Sequence, residues 1–148
     1  LDVLPDQYCT ELSPAAIEWW QFAACHLEEG KLVAFDYGHS PDEWPSPNQP
    51  QGTVRGYRGH KHVDDILAHP GEQDLTAHAN FHLVKKAGEV AGLKTEQFTS
   101  QERFLNRSFV DLLQESPRIG KLIDPRQLQT LTNPVHMGQS FKVLLQSS

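Results

Sequence analysis

A chain of 148 residues with 38% apolar and 22% charged side chains is expected to fold as a single soluble, globular domain. Its formal net charge of −6 excludes a general nucleic-acid binder, because neutralising phosphates takes clustered Lys and Arg. No apolar run approaches the length of a membrane span, and the two cysteines, Cys9 and Cys25, cannot form a disulfide framework.

The chain opens at Leu1 without Met and is expected to be a processed, truncated or excised piece. Ser13-Pro14 reads as a helix start, a hydroxyl cap followed by proline at the first helical position. Ile17, Trp20, Ala24 and Leu27 then recur at helical spacing, and Gly30 supplies the stop. Cys25 falls within this pattern and is expected to be a small buried hydrophobe. Lys31 to Tyr37 is a short apolar run and reads as a buried strand. Residues 38–51 hold four prolines and must be a loop. Thr53 to Arg58 suits a strand or half of a hairpin.

Asn80 can cap a second helix, with Leu83, Val84, Ala87, Val90 and Ala91 as its apolar stripe and Gly92 as its end. Leu93 to Thr99 is a weaker strand. Gln101 to Gln114 is helical, with Phe104, Leu105, Phe109, Leu112 and Leu113 inward. Asp124-Pro125 opens a short helix through about Leu131, and Ser140 to Gln146 is a final strand. Strands separated by helices of this length imply an α/β layered sheet, in which ligands bind beyond the carboxyl ends of the strands. That rule puts Asp36, Tyr37 and Gly38 at the rim of a crevice.

Residues 52–81 are dense in Arg, Tyr, His, Asp and Thr and poor in apolar periodicity, so function is sought there. His60, His62 and Asp64 have a spacing that can converge on zinc, which would make a metal-dependent hydrolase. The string lacks further ligands at the expected offsets, and a solvated polar loop is the favoured reading, with no metal assigned. His78 and His82 are four apart, but Asn80 between them is the expected cap, which argues against a shared helical face. Asp36, Asp74 and Thr76 offer either turn chemistry or polar groups aimed at a partner. Arg55 and Tyr57 alternate on one strand face and can present a guanidinium and a phenol side by side. Trp19, Trp20 and Trp44 read as packing residues. The sequence holds no GxGxxG, no P-loop and no GxSxG elbow.

These pieces stand in an order that resembles the C-terminal half of the MidA-like class I methyltransferases. The matching residues are Glu11, Asp36-Tyr37-Gly38-His39 and the run from Gly52 to Arg58. They continue with His60, Leu67, Pro70-Gly71, Asp74-Leu75-Thr76-Ala77-His78 and Phe81. They end with Gln101, Phe104-Leu105, Met137-Gly138 and Phe141-Lys142. The resemblance implies the later part of a Rossmann-like sheet, strands five to seven with flanking helices and an inserted hairpin around Thr53 to Arg58. The last strand would insert antiparallel between the other two, and strand 31–37 would keep an open edge toward an absent fourth strand.

The resemblance further implies S-adenosylmethionine as cofactor, bound mainly by an N-terminal half not included here, and a protein arginine as acceptor. The family's mitochondrial relative assists respiratory complex I assembly by methylating a subunit, so a complex I subunit is a candidate partner. The compartment would be the bacterial cytoplasm or the mitochondrial matrix. On this reading Glu11, Asp36 and Asp74 are the candidate catalytic carboxylates. Tyr37, Gly38, Arg55, Tyr57, His60, Thr76 and His78 would bind substrate. The segment alone would be inactive, and its open edge would pair with a partner chain or a second copy. A non-catalytic interaction module is the remaining alternative.

Overall fold

The computed structural model describes residues 4–40, 43, 47 and 49–148, so Trp44 and much of the proline-rich loop lie outside the described residues. The first helix, α1, spans Pro14–Cys25. Proline at its start has no N–H to satisfy, but the Ser13 hydroxyl makes no capping bond, contrary to expectation. The helix also ends short of Gly30. That glycine, at φ 136°, instead turns the chain into strand β1, Lys31–His39.

A hairpin region follows: β2 (Arg55–Arg58), β3 (Lys61–Val63) and β4 (Asp74–Thr76) form their own antiparallel sheet in the order β3-β2-β4. The short β5 (Ala79–Asn80) runs directly into α2 (Phe81–Val90), whose Asn80 cap accepts a hydrogen bond from Leu83 N at 3.1 Å. Then come β6 (Lys94–Ser100), α3 (Gln101–Glu115), α4 (Pro125–Thr132) and β7 (Phe141–Ser147). The Ser100 hydroxyl and the Asp124 carboxylate cap α3 and α4 as side-chain acceptors.

The main sheet has the order β5-β1-β7-β6. β7 lies antiparallel between β1 and β6, as the resemblance implies, while β5 pairs parallel with the tip of β1 at Gly38 and His39 only. Among the described residues, no strand covers that side of β1 from Lys31 to Tyr37.

Alternation along the strands sorts the core. Leu32, Ala34 and Leu144 face α1 and α2 and pack with Trp20, Phe81, Val84 and Ala87. On the opposite face the Phe35 ring meets Phe104 of α3 edge-on, with centroids 5.3 Å apart, and Tyr37 packs on Phe141. Helices thus cover both faces, an α/β layered architecture.

Five burial expectations are corrected. Cys25 is exposed and Trp19 keeps 62% of its surface. Both lie off the α1 stripe that carries Trp20 and Ala24 inward. Val90 and Leu112 are also exposed, since each lies at the margin of a stripe that its sheet does not reach. β1 is not a buried strand throughout: Val33, Phe35 and Tyr37 remain exposed because that face and edge are only partly covered.

Candidate functional site

Strand tips create the site. β1 and β5 end side by side, with Gly38 opposite Ala79 and His39 opposite Asn80. Gly38 makes this approach possible, because a Cβ there would lie 2.5 Å from the Phe81 ring and 2.6 Å from the Ala79 carbonyl oxygen. The absence of a side chain at Gly38 is thus a packing requirement beneath the strand tips. Beside it, His78 Nδ1 lies 3.3 Å from His39 Nε2, and the Tyr37 ring stacks near-parallel to His78 at 6.3 Å.

Glu11 ties the next wall in place. Its Oε1 accepts from the backbone N–H groups of Thr53 and, at 2.5 Å, of Val54. Gly52 permits this, since it sits at φ 72° and a Cβ would fall 2.5 Å from the Glu11 carboxylate. The Thr53 hydroxyl then accepts from His78 N at 2.8 Å. A chain of bonds therefore runs from Glu11 through Thr53 to the His78 backbone. This is a positioning role that the residue pattern alone did not reveal.

Two clefts open around these groups. One, of about 310 Å³, has Glu11 and Asp36 among apolar walls from Leu12, Ile17, Leu83 and Val84. The other, of about 280 Å³, is lined by Tyr37, Thr53, Arg55, Tyr57, Thr76, Ala77 and His78. His78 borders both. Burial of its ring, then the neighbouring His39, hold the imidazole below the ordinary histidine range. Arg55 acts in the same direction, and Glu11 and Asp36 oppose it. Asp36 lines the first cleft, and its Oδ1 accepts from Tyr37 N at 2.7 Å.

The fold therefore gathers Glu11, Asp36, Tyr37, Arg55, Tyr57, Thr76 and His78. It does not bring Asp74 or His60 to either cleft wall. Asp74 pairs across from Tyr57 on the exposed hairpin sheet. His60 occupies the β2–β3 turn at φ 63°, following Gly59 at φ 54°, the left-handed pair that a tight hairpin needs. His62 Nδ1 lies 3.3 Å from Asp64 Oδ1, and among the described residues no group of three His, Cys, Asp or Glu side chains could hold a metal. His39, adjacent to the Asp-Tyr-Gly motif, was not among the expected site residues. Its signal was the continuation of β1 by two residues past Tyr37.

Comparison with known proteins gives a consistent picture. A family model described as "Putative S-adenosyl-L-methionine-dependent methyltransferase" matches residues 2–99. The mitochondrial protein arginine methyltransferase NDUFAF7 of Xenopus tropicalis is 32% identical over 122 residues, 76% of this chain and 26% of that protein. The Bos taurus protein of the same name is 30% identical over 127 residues, 80% of this chain and 26% of its own length. A Burkholderia thailandensis protein, solved with S-adenosyl-homocysteine bound, superposes with a TM-score of 0.83 and 32% identity, covering 99% of this chain and 39% of that one. The chain thus spans about a quarter of the curated relatives' length.

Proposed function

The chain belongs to this family of S-adenosyl-L-methionine-dependent methyltransferases, and from that premise we propose that its 148 residues form the acceptor side of a protein arginine methyltransferase. One observation carries the reading: the parallel ends of β1 and β5 bring Asp36, Tyr37, His39 and His78 together beside two clefts. In open α/β sheets that is where ligands bind. The likeness to named arginine methyltransferases over 76% of the chain supports a guanidinium as the acceptor.

A guanidinium is oriented best by a carboxylate that fixes its plane. Asp36 is the proposed orienting group in the first cleft; Asp74 stays a candidate carboxylate only by way of the hairpin sheet, since it lines neither cleft. Glu11 acts one step back, through Thr53. Tyr37, Arg55, Tyr57, Thr76 and His78 shape the neighbouring wall. The mitochondrial matrix is the proposed compartment if the relatives' names carry over, and a complex I subunit the candidate acceptor; the bacterial cytoplasm is the other setting the resemblance allows.

S-adenosyl-L-methionine is the family's cofactor. Anionic and ribose groups of such cofactors are held by a Gly-rich strand-to-helix turn and by a free carboxylate after a later strand. This sequence has no such turn, and the Glu11 carboxylate is committed to backbone amides. The residues present do not make the cofactor's site by themselves. We assign the donor mainly to polypeptide outside these 148 residues, and assign no activity to this chain alone.

Calorimetry tests this directly. S-adenosyl-L-methionine titrated into the full-length protein should bind, and titrated into the 148-residue chain should not. Binding by neither would sink the reading and favour a non-catalytic interaction surface. In the full-length protein, Asp36→Ala should abolish methyl incorporation while circular dichroism stays unchanged.

A further inference from the structure

The two clefts differ in charge, and the difference bears on what enters them. The first contains the carboxylates of Asp36 and Glu11. The second contains Arg55, surrounded by the hydroxyls of Tyr37, Tyr57, Thr53 and Thr76, and no carboxylate. Arg55 Nη1 donates to the Val54 carbonyl at 2.7 Å. Among the described residues its guanidinium forms no ion pair. Asp74 is the nearest acidic neighbour in register, since Arg55 pairs with Thr76 and Tyr57 with Asp74, but it does not line the cleft.

A guanidinium in a concave site, its remaining N–H donors unmatched by any charge and flanked by hydroxyls, is a receptor for a carboxylate. It also repels a second guanidinium. Because Ala77 and His78 line both clefts, the acidic one and the basic one are immediate neighbours. Resting on the acceptor-side reading above, we propose that the Arg55 cleft is a specificity pocket for an acidic side chain next to the acceptor arginine in the same peptide. The substrate class is then a dipolar one. Arginine enters beside Asp36, and an adjacent Asp or Glu is read by Arg55 with help from Tyr57 and Thr76.

The test uses the full-length protein saturated with S-adenosyl-homocysteine and two acetylated, amidated peptides, one with Asp and one with Asn on both sides of a single arginine. Capping both ends removes terminal charges from the comparison. The wild type should bind the Asp peptide about tenfold more tightly, the scale of one partly solvated charge-assisted pair. Arg55→Gln should bring the ratio near one, and Arg55→Lys should restore part of it, which a merely structural loss would not do. Equal affinities in the wild type, no measurable binding of either peptide, or an unchanged ratio in Arg55→Gln would overturn the proposal. Methyl incorporation into the same peptides is read separately. Preference in binding without incorporation counts against the methyl-acceptor reading, whereas incorporation without preference counts against the Arg55 pocket.

Discussion

At the scale of single residues, Glu11 and His78 show how local bonds fix a site. Thr53 is buried, and its N–H and that of Val54 have the Glu11 carboxylate as acceptor. Removing it leaves backbone donors unpaired, which costs about 2 kcal/mol in total on the usual scale for buried groups. Glu11→Ala should therefore lower the urea midpoint, while Glu11→Gln, which keeps an acceptor oxygen, should recover most of it; equal losses in both would show that charge rather than acceptance matters. His78 gives a pH dependence of known sign. Its folded-state pKa lies below the ordinary value of about 6.5, so between those two values the unfolded chain binds more protons. Stability contributed by neutral His78 is complete above pH ~6.5 and declines as pH falls through that window. Comparing unfolding midpoints at neutral and mildly acidic pH, His78→Gln should show a shallower decline than the wild type, and parallel curves would contradict the assignment.

At the scale of elements, the joint between α1, α2 and β7 depends on one amide. Gln146 is fully buried. Its Oε1 accepts from Trp20 Nε1 at 2.7 Å, and its Nε2 donates to the Lys85 carbonyl at 3.0 Å and to Thr95 Oγ1 at 2.8 Å. Gly88 is the space left for it: a Cβ there would sit 2.0 Å from Gln146 Oε1. Helix propensity favours alanine at position 88 by about 1 kcal/mol, but a side chain held by three bonds cannot retreat cheaply. Gly88→Ala should thus destabilise by about 2 kcal/mol in denaturant unfolding, and a gain would refute the packing argument. Helix starts at Pro14, Asn80 and Pro125 were legible because proline and cap chemistry are written locally. β5 was not, since two residues become a strand only by pairing with Gly38 and His39. Nor were the exposures of Trp19 and Cys25: periodicity marks a stripe without saying how wide a neighbour covers it. A lone glutamine directly after the apolar run Val143 to Leu145 was a signal for Gln146 that hydropathy alone passes over.

At the scale of the molecule, the site's polar wall was readable from the composition of residues 52–81, but which residues meet depended on topology, and that came from family resemblance rather than from spacing. Among the described residues, the same topology leaves no strand beside β1 from Lys31 to Tyr37 on the side away from β7, with Val33 and Phe35 45% and 43% exposed. An unpaired edge of that length with apolar side chains is a template for another strand. Symmetric antiparallel pairing of two copies centred on Ala34 would place Val33 opposite Phe35, an aliphatic–aromatic cross-strand pair of the favourable kind. The 148-residue chain in isolation should therefore self-associate, eluting as a dimer or larger in size exclusion. Val33→Lys should shift it toward monomer, because a charge on an edge strand opposes pairing. In the full-length protein, amide protons on the open side of β1 should exchange slowly, since there the edge is expected to be covered by a neighbouring strand. A monomeric isolated chain, together with rapid exchange of those amides in the full-length protein, would mean that this edge is naturally bare and that the sheet is complete as it stands.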